Sequence, residues 1–413
     1  MTNTIKLPQL AWYGSSELDL PVPDSWQVGV YNMEGFNAPA MKLEQIRAAI
    51  QKPIGSPRIG ELAKNKQEVA IIFDDMSRVT RVAQIVPFVL EELAEAGIPD
   101  NRIRFISALG CHGTMGRFDF VRKLGEEVVS RFPAYNHNAV DNCCTYVGST
   151  SQGIRVLANA EVMKCDFKIG IGSIAPHVLL GFSGGSKIVL PGITSLGTNE
   201  SLHRLGAKVK QERQLGMGIY KDNPLRQEID EAAKMVGLNY KIDCLCNMWG
   251  ETTHIFSGNP QSTFTAGVGI AKKHYLSTRA TDNDVVIANI FAKVNEPEGG
   301  MSNTIPSVSS QGGDLILICN APDGHVIHYL LGTFGRDSGG PMSRKFTLPH
   351  QINRLIIFSE YPDPTLACSC NPENKVILVN TWEKVLKLFD NGNRVRGNVK
   401  VAVYPNAEIQ YCA

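Results

Sequence analysis

Short, continuously apolar runs alternate along the chain with longer amphipathic ones. The short runs stand at 69–73 (VAIIF), 102–106 (RIRFI), 167–171 (FKIGI), 285–289 (VVIAN), 315–318 (LILI), 355–358 (LIIF) and 376–379 (VILV), and Gly, Ser, Asn or Asp lies at or just beyond each end. Runs without an alternating polar face predict strands buried on both sides, as in parallel sheets. Between them, apolar residues at helical spacing predict helices over 82–96 (closed by Gly97), 118–132, 226–236 (closed by Gly237), 262–276 and 381–389. Strand and helix in alternation mean α/β layers, and no repeat of fixed period accompanies them.

The polar stretch 277–284 (STRATDND) interrupts this pattern and marks a boundary. It predicts an N-terminal α/β domain over 1–276 and a second over 277–397, with 398–413 returning a last strand to the first domain. Two α/β domains with mainly parallel sheets would carry an active site in the cleft between them, because ligands bind beyond the carboxyl ends of parallel strands. Chemistry should therefore be sought just after strands.

Charge narrows the classes. Across 413 residues, 41 Lys and Arg balance 40 Asp and Glu, which removes the electrostatic case for nucleic acid or an anionic membrane as partner. No run approaches the 18 or so apolar residues of a span, and the first residues lack the apolar core of a secretory signal. A cytoplasmic protein is expected, with its ten cysteines reduced. Cys244-Leu-Cys246 and Cys368-Ser-Cys370 are spaced too tightly for zinc knuckles.

Three strand ends hold candidate chemistry. After 69–73 come Asp74-Asp75-Met76-Ser77-Arg78, where a planar guanidinium could grip a carboxylate or phosphate and a following helix adds N–H donors; capping and surface ion pairing compete with that reading. After 102–106, Gly110-Cys111-His112-Gly113 sets an imidazole in a glycine-flanked turn. After 167–171 runs His177-Val-Leu-Leu-Gly181-Phe-Ser183-Gly184-Gly185-Ser186-Lys187-Ile-Val-Leu-Pro191-Gly192, whose Gly and Ser residues could converge backbone N–H groups on an anion. A phosphate-binding P-loop is ruled out, since Ser186 stands where its second Gly belongs and Ile188 where a Ser or Thr must meet Mg²⁺. The dinucleotide pattern G-x-G-x-x-G is missing as well. Lys187 reads equally as a nucleophilic amine or as a point charge on phosphate. His203 follows on the next helix, and neutral imidazole ligates Ni, Cu, Fe or Zn.

Taken together, Asp74-Asp75-x-Ser77-Arg78, Gly110-Cys111-His112 and the stretch from His177 to Gly192, with His203 downstream, resemble the nickel-dependent lactate racemase family. The resemblance implies a racemase or 2-epimerase of a 2-hydroxy acid that uses a nickel-pincer nucleotide, pyridinium-3-thioamide-5-thiocarboxylate mononucleotide. It places the covalent tether at Lys187, the nickel ligand at His203 and the acid/base pair at His112 and His177. Arg78 would orient the substrate carboxylate, while Asp75, Ser183, Gly184 and Gly185 would hold the nucleotide's ribose and phosphate. The resemblance also implies cofactor-assembly enzymes as partners. Where lactate-specific members carry Gln-x-x-Lys, this chain reads Phe291-Ala-Lys293-Val-Asn295-Glu296-Pro-Glu298, with Lys293 the candidate substrate contact. The polar character of 295–298 admits a hydroxyl-rich sugar acid beside lactate. Two other readings remain: a transferase whose Gly-rich loop binds nucleotide phosphate, and a nickel or cofactor carrier.

Overall fold

The computed structural model describes residues 3–212, 215–293, 297–324, 326–330, 342, 345–368, 370–390 and 398–412. The chain divides into two compact units, one made of Met1–Asn37 with His274–Ala413 and the other of Ala38–Lys273.

The 38–273 unit is built on a six-stranded sheet in the order Thr252–Gly258, Tyr240–Cys246, Phe167–Ser173, Val69–Asp74, Ile103–Ala108, Ala134–Asn136. All neighbours run parallel except the antiparallel edge pair of Tyr240–Cys246 with Thr252–Gly258. Every residue of Val69–Asp74 is buried, as expected of a run apolar on both faces. Val69, Ile71 and Phe73 pack on Ile85, Val86 and Val89 of the helix Val82–Glu95. From the opposite face, Ala70 and Ile72 meet Ala233 and Val236 of the helix Pro224–Val236, together with Ile188 and Val189. The residues that follow Lys187 are therefore part of the core, which fixes that lysine's backbone against the sheet.

The other unit has a second six-stranded sheet, parallel throughout, in the order Val376–Val379, Ile352–Phe358, Gly313–Ile318, Val285–Asn289, Val399–Tyr404, Trp26–Val30. One face is covered by the antiparallel hairpin Asn3–Gln9 and Ser16–Val22 and by the helix Trp382–Asp390. Met301 and Ile305 pack on the other.

Mixed α/β layers with mainly parallel sheets are as the hydrophobic pattern predicts. The domain limits differ. Residues 1–37 leave the segment that follows them and join 274–413, because Trp26–Val30 pairs in parallel with Val399–Tyr404. For the same reason the last strand does not return to the 38–273 unit: it lies between Val285–Asn289 and Trp26–Val30. The helix expected over 118–132 is two, Arg117–Leu124 and Glu126–Arg131, separated by Gly125 at φ +90°. Of the polar segment 295–298, residues 295 and 296 lie outside the described residues.

Candidate active site

Val69–Asp74 lies between Ile103–Ala108 and Phe167–Ser173, so the three loops singled out in the sequence leave neighbouring strands at the same, carboxyl edge of the sheet. In the first loop, fully buried Lys123 ion-pairs with Asp74 Oδ1 at 2.8 Å and donates to the carbonyls of Asp75 and Arg78, each at 2.8 Å. One ammonium thus pins the whole turn. Sequence reading missed it, although Lys123 shares the buried stripe of its helix with Phe120 and Leu124. A lysine at apolar spacing was the available signal.

Asp75 faces His112 across the two loops. Its Oδ2 lies 2.6 Å from His112 Nδ1, and its Oδ1 accepts from Ser77 N–H at 3.1 Å and from the Ser77 hydroxyl. Burial would raise the Asp75 pKa, but the charge and hydrogen bond of His112, with help from Arg78 and Ser77, outweigh it and hold the carboxyl at about 2. An ionised carboxylate only accepts, so Nδ1 of His112 carries the proton in this pair. The sequence reading gave Asp75 to the cofactor's ribose; the structure adds that both carboxylate oxygens also meet groups of the protein, His112 and Ser77. Arg78 Nη1 donates to the Ser77 hydroxyl at 2.8 Å and to its carbonyl at 2.9 Å, which aims the guanidinium.

The low Asp75 pKa has a stability consequence of definite sign. A carboxyl held below its unfolded value stabilises the fold above that value, and the contribution disappears as pH falls through the folded one. From about 3.8 to about 2, the shift is worth about 2 kcal/mol at neutral pH. Urea unfolding should show wild type more stable than Asp75→Asn at pH 7, with the gap closing as pH falls from about 4 to about 2.

The Gly-rich loop is held by buried charge. Gly184 takes φ +88°, and a Cβ there would lie 2.5 Å from Ile174 Cγ1; a Cβ on Gly185 would lie 2.9 Å from the Phe264 ring. Gly185 N–H donates to Asp243 Oδ2 at 2.8 Å, and the buried Lys241 ammonium meets Asp243 Oδ1 at 2.6 Å. Arg226, whose pKa burial lowers to about 10, donates to the carbonyls of Phe182 (2.6 Å) and Gly184 (3.0 Å) and stacks on Phe264 with its guanidinium 4.0 Å from the ring centre. The Ser183 hydroxyl bonds with Ala175 N–H and C=O, both at 3.1 Å. Ser183 and the Gly185 N–H, expected on a phosphate, are thus committed to the loop's own architecture. Lys241, Asp243 and Arg226 were missed because nothing in the sequence marks charges on a buried strand or helix face as belonging to a loop some 40 to 60 positions away.

His177 sits in a two-residue antiparallel bridge, Pro176–His177 with Gly181–Phe182, and its Nδ1 accepts from the N–H groups of Leu179 (3.2 Å) and Leu180 (3.3 Å). His203 lies nearly two turns into the helix Leu196–Glu212, where its Nδ1 meets the Asn199 carbonyl at 2.7 Å. A carbonyl only accepts, so the proton sits on Nδ1 and the lone pair on Nε2. Burial, then the charges of Lys187 and His112, push the His203 pKa down. Asn199 serves both strand ends: its carbonyl fixes His203, and its side-chain amide donates to Cys111 Sγ at 3.3 Å, beside His112. Burial raises the Cys111 thiol to about 12, too high for a thiolate at neutral pH.

Residues 13–216 match the family model for the lactate racemase N-terminal domain. Lactate racemase of Lactiplantibacillus plantarum is 28% identical over 292 residues, 68% of this chain and 67% of that protein. Lactate racemase of Thermoanaerobacterium thermosaccharolyticum is 24% identical over 326 residues, 76% of this chain and 74% of that protein. Residues 13–216 thus form a lactate racemase N-terminal domain. The architecture is shared as well: the lactate racemase apoprotein structure from T. thermosaccharolyticum superposes with a TM-score of 0.72 at 19% identity, covering 100% of both chains. A Thermotoga maritima protein from a structural genomics programme follows with TM-score 0.66 and 16% identity, over 91% of this chain and 99% of that one.

Lys293 belongs to the other unit. It follows Val285–Asn289, is buried, and lies in a turn whose N–H groups at Phe291, Ala292 and Lys293 all reach Glu408 Oε1, two of them at 3.1 Å. Burial pushes the Glu408 carboxyl up to about 7 against the pull of those N–H groups and of the Lys293 ammonium.

Proposed function

We propose that the chain is a racemase or 2-epimerase of a 2-hydroxy acid that works with a nickel-pincer nucleotide tethered to Lys187. The observation that carries this reading is convergence: the loops of His112 and Lys187 leave the two strands that flank Val69–Asp74 at the same sheet edge, and Asn199 bonds both His203 and Cys111, the neighbour of His112. The names of the two curated relatives support lactate as the first substrate to test.

The residues fit the group. His203 has the form a metal needs, a half-buried neutral ring whose Nδ1–H is held by a carbonyl, so that Nε2 carries the lone pair. Among the described residues no three His, Cys, Asp or Glu side chains gather as a metal site, so nickel at His203 would take its remaining ligands from the nucleotide. Lys187, partly buried, follows a glycine turn anchored by Asp243 and Arg226, which holds its backbone in place.

When bound, the nucleotide would supply a hydride acceptor. The chain's own residues do the rest. Arg78 grips the substrate carboxylate with its planar fork. His112 and His177 exchange the hydroxyl proton, and a positioned imidazole is worth about 10²–10⁴ in rate.

The test is to produce the protein with and without the cofactor-assembly enzymes, then measure intact mass, nickel content and interconversion of lactate and longer aldonic acids. A mass increment with stoichiometric nickel and racemisation supports the reading. A bare chain that binds ATP favours a transferase, and an adduct that turns over no 2-hydroxy acid favours a carrier. Within the same preparation, His203→Ala should keep the organic mass increment and lose the nickel, because tether and ligand are separate contacts. Nickel retained at the wild-type level removes His203 from the metal.

A further inference from the structure

His112 and His177 are alike in residue type but are held in opposite ways. His112 Nδ1 faces an ionised carboxylate at 2.6 Å, which can only accept. His177 Nδ1 faces two backbone N–H groups, at 3.2 and 3.3 Å, which can only donate. In a neutral imidazole one nitrogen carries the proton and the other the lone pair, so fixing Nδ1 fixes Nε2 in the opposite sense.

We propose that the two imidazoles are locked in opposite tautomers: Asp75 holds His112 with Nε2 as a proton acceptor, and the Leu179 and Leu180 N–H groups hold His177 with Nε2–H as a proton donor. This rests on the reading that both rings serve the substrate hydroxyl. Asp75 is then a positioning residue, acting through His112.

The resting site is consequently asymmetric. A hydroxyl on the His112 side can pass its proton to Nε2, and the imidazolium so formed lies against Asp75. A hydroxyl or carbonyl oxygen on the His177 side meets a hydrogen-bond donor. For His177 to accept a proton at Nε2 it must first carry its own on Nδ1, and that breaks both bonds from the 179–180 backbone. A substrate whose hydroxyl enters on that side therefore waits on a local rearrangement of the 176–182 turn, whereas one entering beside His112 does not.

Long-range ¹H–¹⁵N correlation spectra of ¹⁵N-histidine-labelled protein read the tautomer directly, without cofactor or turnover. Single His→Gln variants supply the assignments, and His137 provides an internal Nε2–H reference, since its Nε2 donates to the Thr194 carbonyl at 2.9 Å and burial lowers its pKa to about 4. In their neutral forms, His112 should give the Nδ1–H pattern and His177 the Nε2–H pattern. The same pattern at both, or the reverse pair, overturns the proposal. Asp75→Asn, whose amide can turn either its oxygen or its NH₂ to the ring, should convert His112 to a tautomer mixture and leave the His177 signal unmoved. With the loaded enzyme that variant should lose kcat by at least about 10²-fold with KM little changed. An unchanged His112 pattern in Asp75→Asn also overturns the proposal. Failure of the racemase reading would look different: the spectra would stand as described and no 2-hydroxy acid would turn over.

Discussion

Lys187→Ala protein made alongside the cofactor-assembly enzymes will carry the mass of the bare polypeptide and no nickel. The argument is one of chemistry and of support. A thioamide link needs an amine nucleophile, and the amine at this site belongs to the lysine that resonates with the family pattern in the sequence. Lys187→Arg should fail equally, since a guanidinium stays protonated and does not attack. The fold should not notice either change. What holds the loop is the Gly185 N–H on Asp243, the Arg226 bonds to the Phe182 and Gly184 carbonyls, and the burial of Ile188 and Val189 in the sheet's core. Truncation of a side chain that contributes to none of these should leave unfolding within about 0.5 kcal/mol of wild type. An adduct of unchanged mass on the alanine variant would move the tether elsewhere.

His112→Ala and His177→Ala should each lose racemisation by at least about 10²-fold while retaining both adduct and nickel. Interconversion needs a proton taken up on one side of the substrate and delivered on the other, and the two halves lie in series. Removal of either imidazole therefore stops the whole cycle. Single-turnover measurements separate the halves: each variant should still oxidise one enantiomer better than the other, with the preference reversed between them. Matching preferences, or racemisation near the wild-type rate in either variant, would show that the two rings are not paired across the substrate.

The parts of the molecule legible in the sequence are those written locally. The strand Val69–Asp74 and its partners announced themselves as short, mainly apolar runs, and the three loops that follow them carried their chemistry within a few residues. His112, His177, Lys187 and His203 could be singled out by their neighbours alone, and the structure puts His203 within electrostatic reach of Lys187 and His112. What supports them could not be read that way. Asp75 lies 37 positions from the His112 it fixes, Lys123 lies 45 from the Arg78 carbonyl it pins, and Asp243 lies 58 from Gly185. A sequence shows that such groups exist but not that they meet. For this reason the sequence offered Asp75 as a ligand contact but not as the partner of an imidazole. Strand pairing between the two ends of the chain was equally silent, because Trp26–Val30 has no local feature that names Val399–Tyr404.

That pairing sets an order of events at the ribosome. Trp26–Val30 is an edge strand whose neighbour in the sheet is Val399–Tyr404, a segment synthesised about 370 residues later. At about 5–20 residues per second, the interval between making the two is roughly 20 to 75 seconds. The 38–273 unit, complete in sequence long before then, can fold while the amino-terminal segment waits for its partner. During that wait Trp26–Val30 has no neighbouring strand to pair with, so nascent chains stalled before residue 399 should recruit chaperones that bind exposed apolar segments, and chains extended past Tyr404 should release them.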